Sequence, residues 1–180
     1  MDKPLVASYC SIFLKREMRH LYRQVTGLRR YRTCVLAQER INGDSYPFPD
    51  IELLKKPRPH PFRHAARKFR GEPPLYYRGE ADVLASVLRR RSPVLMHVYF
   101  GHIGVHLLPF IQRWPHPTIV SFHGMDAMPR NENPAYADKM RELLETVPLA
   151  LARSESLARV LEERGAPKNR IRINRTALPL

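Results

Sequence analysis

Two apolar runs of β-forming residues flank a helical stripe within the first 37 residues. That arrangement leaves few folds open. Residues 5–12 (LVASYCSI) and 33–37 (TCVLA) each read as a buried strand. Between them Leu14, Met18, Leu21, Val25 and Leu28 recur at steps of 4, 3, 4 and 3, one apolar stripe at helical period. Gly27 lies near the end of that stripe, with Arg29 and Arg30 placed for the negative pole of a helix. Strand, helix and strand in about 33 residues make a βαβ unit, which implies parallel strands joined by a right-handed crossover.

The same rhythm returns from residue 79. Residues 80–91 read as a helix with Val83, Leu84, Val87 and Leu88 inward, and residues 94–100 (VLMHVYF) as a strand. A helix over 101–113, a strand over 118–122 (TIVSF) and a helix over 134–146 follow, the last with Asn133 as its cap. Residues 149–152 form a strand, 154–164 a helix closed by Gly165, and 170–173 (RIRI) a last strand. Six strands alternating with helices predict a Rossmann-like, doubly wound α/β sheet, mostly parallel, with helices on both faces. The interval 42–78 breaks the pattern. It contains Pro47, Pro49, Pro57, Pro59, Pro61, Pro73 and Pro74, and reads as a long basic loop with one short helix around 62–69.

With 180 residues the chain has the length of one domain, and 43% hydrophobic with 27% charged residues exclude a disordered chain. No apolar run approaches the roughly 20 residues that span a bilayer. Cys10 and Cys34 sit in apolar runs and form no Cys-x-x-Cys pair, so a reducing cytosol is the expected compartment. The formal charge is +14, and it is unevenly placed. Residues 1–91 hold 20 Lys+Arg against 9 Asp+Glu, a balance of +11, whereas residues 92–180 hold 11 against 8.

Two stretches carry the excess. Lys15, Arg16, Arg19, His20 and Arg23 fall on the polar side of the first helix, and Lys55, Lys56, Arg58, Arg63, Arg67, Lys68 and Arg70 crowd one interval without an acid. A charged face is often only a solvated face. A basic amphipathic helix beside a basic loop also suits an anionic membrane surface. Nucleic acid is the less favoured partner, because stacking aromatics and a groove-reading helix are both lacking.

In open α/β sheets ligands gather beyond the carboxyl ends of the strands. Phe100-Gly101-His102-Ile103-Gly104 puts glycines where a strand becomes a helix, which serves a ligand approaching the backbone or tight packing at the turn equally well. His123-Gly124-Met125-Asp126 offers a titratable ring and a carboxylate on one strand-end turn. Those groups suit hydroxyl binding or proton sharing; the plainer alternative is an Asp capping the turn and a His bonded to backbone. His102 and His106 share a helical face without a third ligand, so no metal site is expected, and His97 reads as core. There is no Walker motif, no dinucleotide fingerprint and no Gly-x-Ser-x-Gly.

Several stretches, in order along the chain, resemble family 4 retaining glycosyltransferases, particularly the branch that assembles bacterial exopolysaccharides such as colanic acid. Residues 96–104 (MHVYFGHIG) resemble the family's I-H-A-H-F-G-x-x-G, and residues 117–126 (PTIVSFHGMD) its P-x-V-x-T-F-H-G-x-D. Residues 151–157 (LARSESL), with Leu161, Gly165 and Pro167, are similar to V-S-x-x-L-x-x-x-L-x-x-x-G-x-P. Residues 11–17 (SIFLKRE) resemble S-E-T-F-I-x-x-E, with Ile12 in place of both middle residues.

The resemblance implies the acceptor-side domain of a two-domain GT-B enzyme, acting on a lipid-linked or polysaccharide acceptor. His123 and Asp126 would be its catalytic residues. Ser11, Phe13, Gly101, His102, Gly104, Gly124, Arg153 and Ser154 would line the substrate cleft. It implies no cofactor, only a nucleotide-sugar donor held mainly by a second domain, the one that carries the family's Glu-x7-Glu motif and is not among the elements read here. That donor half, in the same or a separate chain, is the expected partner. A place on the inner face of the cell membrane, reached through the basic residues of the first half, is the expected location.

Overall fold

A computed structural model describes residues 3–54, 69, 78–128 and 134–175. Their strands form one seven-stranded, all-parallel sheet in the order β3-β2-β1-β4-β5-β6-β7. The strands are β1 (Leu5–Phe13), β2 (Arg32–Arg40), β3 (Ile51–Leu53), β4 (Leu95–Tyr99), β5 (Thr118–Phe122), β6 (Leu149–Ala152) and β7 (Ile171–Ile173). The helices are α1 (Arg19–Thr26), α2 (Arg78–Arg91), α3 (Gly101–Ile111), α4 (Pro134–Thr146) and α5 (Glu155–Glu163).

The central strand β1 is apolar along its length because both its faces are covered. Leu5, Ala7 and Tyr9 enter one core, while Cys10 and Phe13 enter the other. From β1 the chain steps through β2 to β3, then crosses back to β4 and steps the opposite way. Right-handed crossovers therefore place α1 on one face and the later helices on the other. Burial agrees. Leu21 and Val25 of α1 share a core with Phe13 and Val35, whereas Leu84 and Leu88 of α2, Leu143 of α4 and Leu161 of α5 join the opposite one. The order reverses between β1 and β4, so the ligand-binding crevice of a doubly wound sheet belongs at their carboxyl ends.

Most elements lie where periodicity placed them, with four corrections. The sheet has a seventh strand, because residues 51–53, inside the interval read as loop, pair with residues 35–37 of β2. Arg90 and Arg91 at the end of α2 reach Glu52 and Asp50 and hold this edge. The first helix is shorter than its stripe: Leu14 is buried in a loop, Arg16–Met18 form a 3-10 turn, and α1 begins at Arg19. Val83 faces outward, 36% exposed, while Leu84, Val87 and Leu88 point in. His20 does not sit on a solvated face, because its ring packs against His123. The short helix expected around 62–69, the cap at Asn133 and the basic residues Lys55, Lys56, Arg63, Arg67 and Lys68 lie outside the described residues, Phe69 apart. Among the described residues no helix is long and apolar enough to cross a membrane.

Candidate functional site

The carboxyl ends of β4 and β5 are fastened together by one carboxylate. Phe100, at φ +79°, turns the chain out of β4 and into α3, and its N–H donates to the Ser121 carbonyl at 2.8 Å. The following N–H, of Gly101, donates to Asp126 Oδ2 at 2.8 Å. Asp126 Oδ1 accepts the His123 N–H, also at 2.8 Å. With Asp126 only 8% exposed, its carboxylate closes both turns through the backbone. Gly124, at φ +130°, lets the chain reverse between His123 and Asp126, a backbone shape in which a side chain is strained.

The clamp sets His123 between two rings. Its centroid lies 4.7 Å from that of His20 on α1 and 4.7 Å from that of Phe100. Among the described residues neither ring nitrogen of His123, nor Nε2 of His20, has a hydrogen-bond partner. Burial pushes the His123 imidazole down to about 4; His20 and Arg153 push the same way, and Asp126 opposes them. His20 is lowered by burial and by Arg153. Near neutral pH both rings are uncharged, and His123 has one donor and one acceptor to offer.

His123 opens onto a cavity of about 340 Å³ lined also by Gly124, Met128, Arg153, Ser154 and Ser156. Ser154 caps α5, accepting the Leu157 N–H at 3.1 Å, and its hydroxyl lies 2.8 Å from that of Ser156. Arg153 stands exposed at the rim. The cavity thus combines a neutral imidazole, a guanidinium and two hydroxyls, a set suited to a hydroxylated ligand carrying negative charge.

Not every candidate residue converges here. Ser11 and His102 line a separate cavity on the α3 side of the sheet. Phe13 is 1% exposed and packs on Phe48, so it belongs to the core. Gly101 and Gly104 are buried against Phe122 and Leu143, which makes close packing their visible role. Arg16 and Arg19 are exposed, Lys15 is half-buried, and Arg23 lines a third cavity of about 470 Å³ beside His97. His20 is the site residue that periodicity concealed. Among the described residues no three His, Cys, Asp or Glu side chains gather as metal ligands would.

Asp126→Asn tests the clamp. An amide nitrogen cannot accept, so one of the two buried N–H groups loses its partner. The expected loss is about 2 kcal/mol of unfolding free energy, measured by urea denaturation.

The same architecture occurs in solved structures. Over 97% of the chain it matches a UDP-N-acetylglucosamine 2-epimerase from Rickettsia bellii, with a TM-score of 0.63, 11% identity and 45% of that chain covered. Anabaena HepE, solved with UDP and glucose, matches 97% of this chain and 45% of its own at a TM-score of 0.61 and 10% identity. Staphylococcus aureus MnaA, solved with UDP, matches at 0.56 and 11% identity, over 96% of this chain and 43% of its own. The fold is that of one Rossmann-like half of a GT-B protein. This chain spans less than half the length of those neighbours. No family model and no curated protein matches it.

Proposed function

We propose that this chain is the acceptor-side half of a retaining glycosyltransferase of family 4 type, moving a sugar from a nucleotide-sugar to a lipid-linked or polysaccharide acceptor. The observation that carries the reading is His123, an uncharged imidazole with both nitrogens unpartnered among the described residues, held by the Asp126 clamp at a strand-end cavity. Such a ring can bind a hydroxyl of the transferred sugar or of the acceptor and share its proton. Asp126, committed to two backbone N–H groups, acts as a positioning residue. The UDP ligands of the structural neighbours support a nucleotide-sugar as co-substrate.

One of those neighbours bears the name of a 2-epimerase. Inverting a carbon centre calls for a base and an acid on opposite sides of it. The described lining of the His123 cavity offers an imidazole, a guanidinium and two hydroxyls, groups that bind and polarise hydroxyls as transfer requires.

The donor half, in the same or another chain, is the proposed partner. No cofactor is invoked. An anionic membrane surface is the second proposed partner, at the cytoplasmic side, because Arg16 and Arg19 are exposed in the segment whose His20 packs on His123, and Met125 and Met128 beyond His123 are 76% and 41% exposed.

The test is His123→Ala in a protein that includes the nucleotide-sugar-binding half. Its ring nitrogens hold nothing in place, so folding should persist while turnover falls about a hundredfold. Undiminished transfer by the folded variant overturns the assignment.

A further inference from the structure

Two rings flank His123, and only one of them carries nitrogen. Phe100 covers one side and His20 the other, each with its centroid 4.7 Å away and its plane tilted, by 48° and 45°. Packing alone calls for a second apolar ring at position 20. A covered imidazole nitrogen without a partner is a cost that phenylalanine would not carry. His20 Nε2 is such a nitrogen among the described residues.

The His20 ring is set by its own stretch of chain. It forms a hydrogen bond to the backbone of Glu17, in the 3-10 turn just before α1. With Nε2 unpartnered, the nitrogen in that bond is Nδ1, so the hydrogen sits on Nδ1 and the lone pair on Nε2. Burial, and then Arg153, lower the ring's affinity for a second proton against the pull of the Glu17 bond. The lone pair is therefore present near neutral pH.

The other polar groups around His123 have partners or cannot accept. Asp126 takes the His123 and Gly101 N–H groups, and His97 on β4 lies against the Ser121 hydroxyl. Arg153 only donates, while the Ser154 and Ser156 hydroxyls meet each other. Among these groups the acceptor with no partner is His20 Nε2.

We propose that His20 is a positioning residue whose fixed lone pair favours the His123 tautomer with its N–H toward α1, leaving the other nitrogen to accept from a ligand hydroxyl. The rings touch without a closed hydrogen bond, so His20 biases His123 without immobilising it. A partner that fixes the tautomer of a working imidazole governs which of its nitrogens is basic. The part of His20 in turnover rests on the transferase reading above; the tautomer of His123 does not.

Imidazole nitrogen NMR spectra of the 180-residue chain near neutral pH test the assignment, because they report which nitrogen of His123 carries hydrogen. Wild type should show one dominant tautomer. His20→Phe keeps a ring and removes the lone pair, and should fold at least as stably while giving a mixture of tautomers. His20→Gln returns an acceptor oxygen and should restore most of the wild-type pattern. In a protein that includes the nucleotide-sugar-binding half, His20→Phe should lower kcat about tenfold at unchanged KM, and His20→Gln should recover most of it. A packing role alone gives the reverse order, with the Phe variant active and the Gln variant impaired. A tautomer mixture in wild type, an unchanged His123 in His20→Phe, or a Gln variant no better than the Phe variant would overturn the proposal. Tautomers that respond as expected in a protein without transfer activity would fault the transferase reading and leave the role of His20 intact.

Discussion

Gly101→Ala is expected to lower the unfolding free energy by about 3 kcal/mol, a large share of what a domain of this size holds. A Cβ at this position would lie 2.3 Å from Cε1 and 2.7 Å from Cδ1 of Phe122, and 3.0 Å from the Asp126 carbonyl oxygen. None of these atoms can give way cheaply. Phe122 is fully buried on β5, and the Asp126 backbone is tied down by its own side chain through Gly101 and His123. Relief has to come from moving α3 away from β5, which opens the core and displaces Phe100 and His123 together. Gly104→Ala is the internal comparison. Its Cβ would meet Leu143 Cδ2 at 2.6 Å, a methyl at the end of a side chain that can rotate, so about 1 kcal/mol is expected. Urea unfolding of both variants checks the ranking. A Gly101→Ala protein within about 0.5 kcal/mol of wild type would show that the junction of β4 and α3 is looser than described.

That junction also shows which parts of the molecule were legible in the sequence. Residues 118–122, 134–146 and 149–152 emerged with their observed bounds, because each is one uninterrupted apolar run or stripe between clear breaks. The edge strand β3 was not legible: it is three residues long, lies among prolines, and leaves Leu53 54% exposed. The His123–Asp126 turn stood out by residue type and by resemblance, and of the plainer reading one half holds. Asp126 does cap the turn, and His123 is left with a free ring. The bond from Gly101 to Asp126 joins residues 25 apart, and no local pattern encodes it. His20 was hidden for a related reason. Helical periodicity put it on the polar side, but the polar side of α1 at that point faces the β5 turn rather than water. His102 and His106 stand four apart on one helical face, a spacing legible in the sequence, but the carboxylate that faces His106 arrives from α2, which no local pattern encodes.

Acid should weaken this protein before its carboxylates are protonated. His97 on β4 packs its ring on Tyr99, centroids 4.1 Å apart, and sits 2.5 Å from the Ser121 hydroxyl. Burial, with His123 nearby, pushes His97 down to about 3, and His123 itself is pushed down to about 4. In the unfolded chain both titrate near 6.5. Above that pH neither state carries the proton and the native state keeps its full advantage. Below it the unfolded chain binds protons that the native state refuses, so stability falls as pH falls, continuing toward pH 4 and 3. Each unit of displacement is worth about 1.4 kcal/mol, and His123, less deeply buried and less displaced, contributes less than His97. Between about pH 6.5 and pH 4 the combined loss is on the order of 4 kcal/mol. Urea midpoints at about pH 7.5, 6 and 5 should therefore decline steadily. His97→Gln keeps a polar group near Ser121 without a titrating ring and should flatten the decline by about half. Glu142 is held below the usual carboxylate range by Lys139 and Gln112, so its contribution disappears only at more acid pH and does not blur the window. Equal stability near pH 7.5 and pH 5, or a His97→Gln protein with the wild-type slope, would mean that water reaches His97 through the cavity it shares with Arg23 and solvates its charged form.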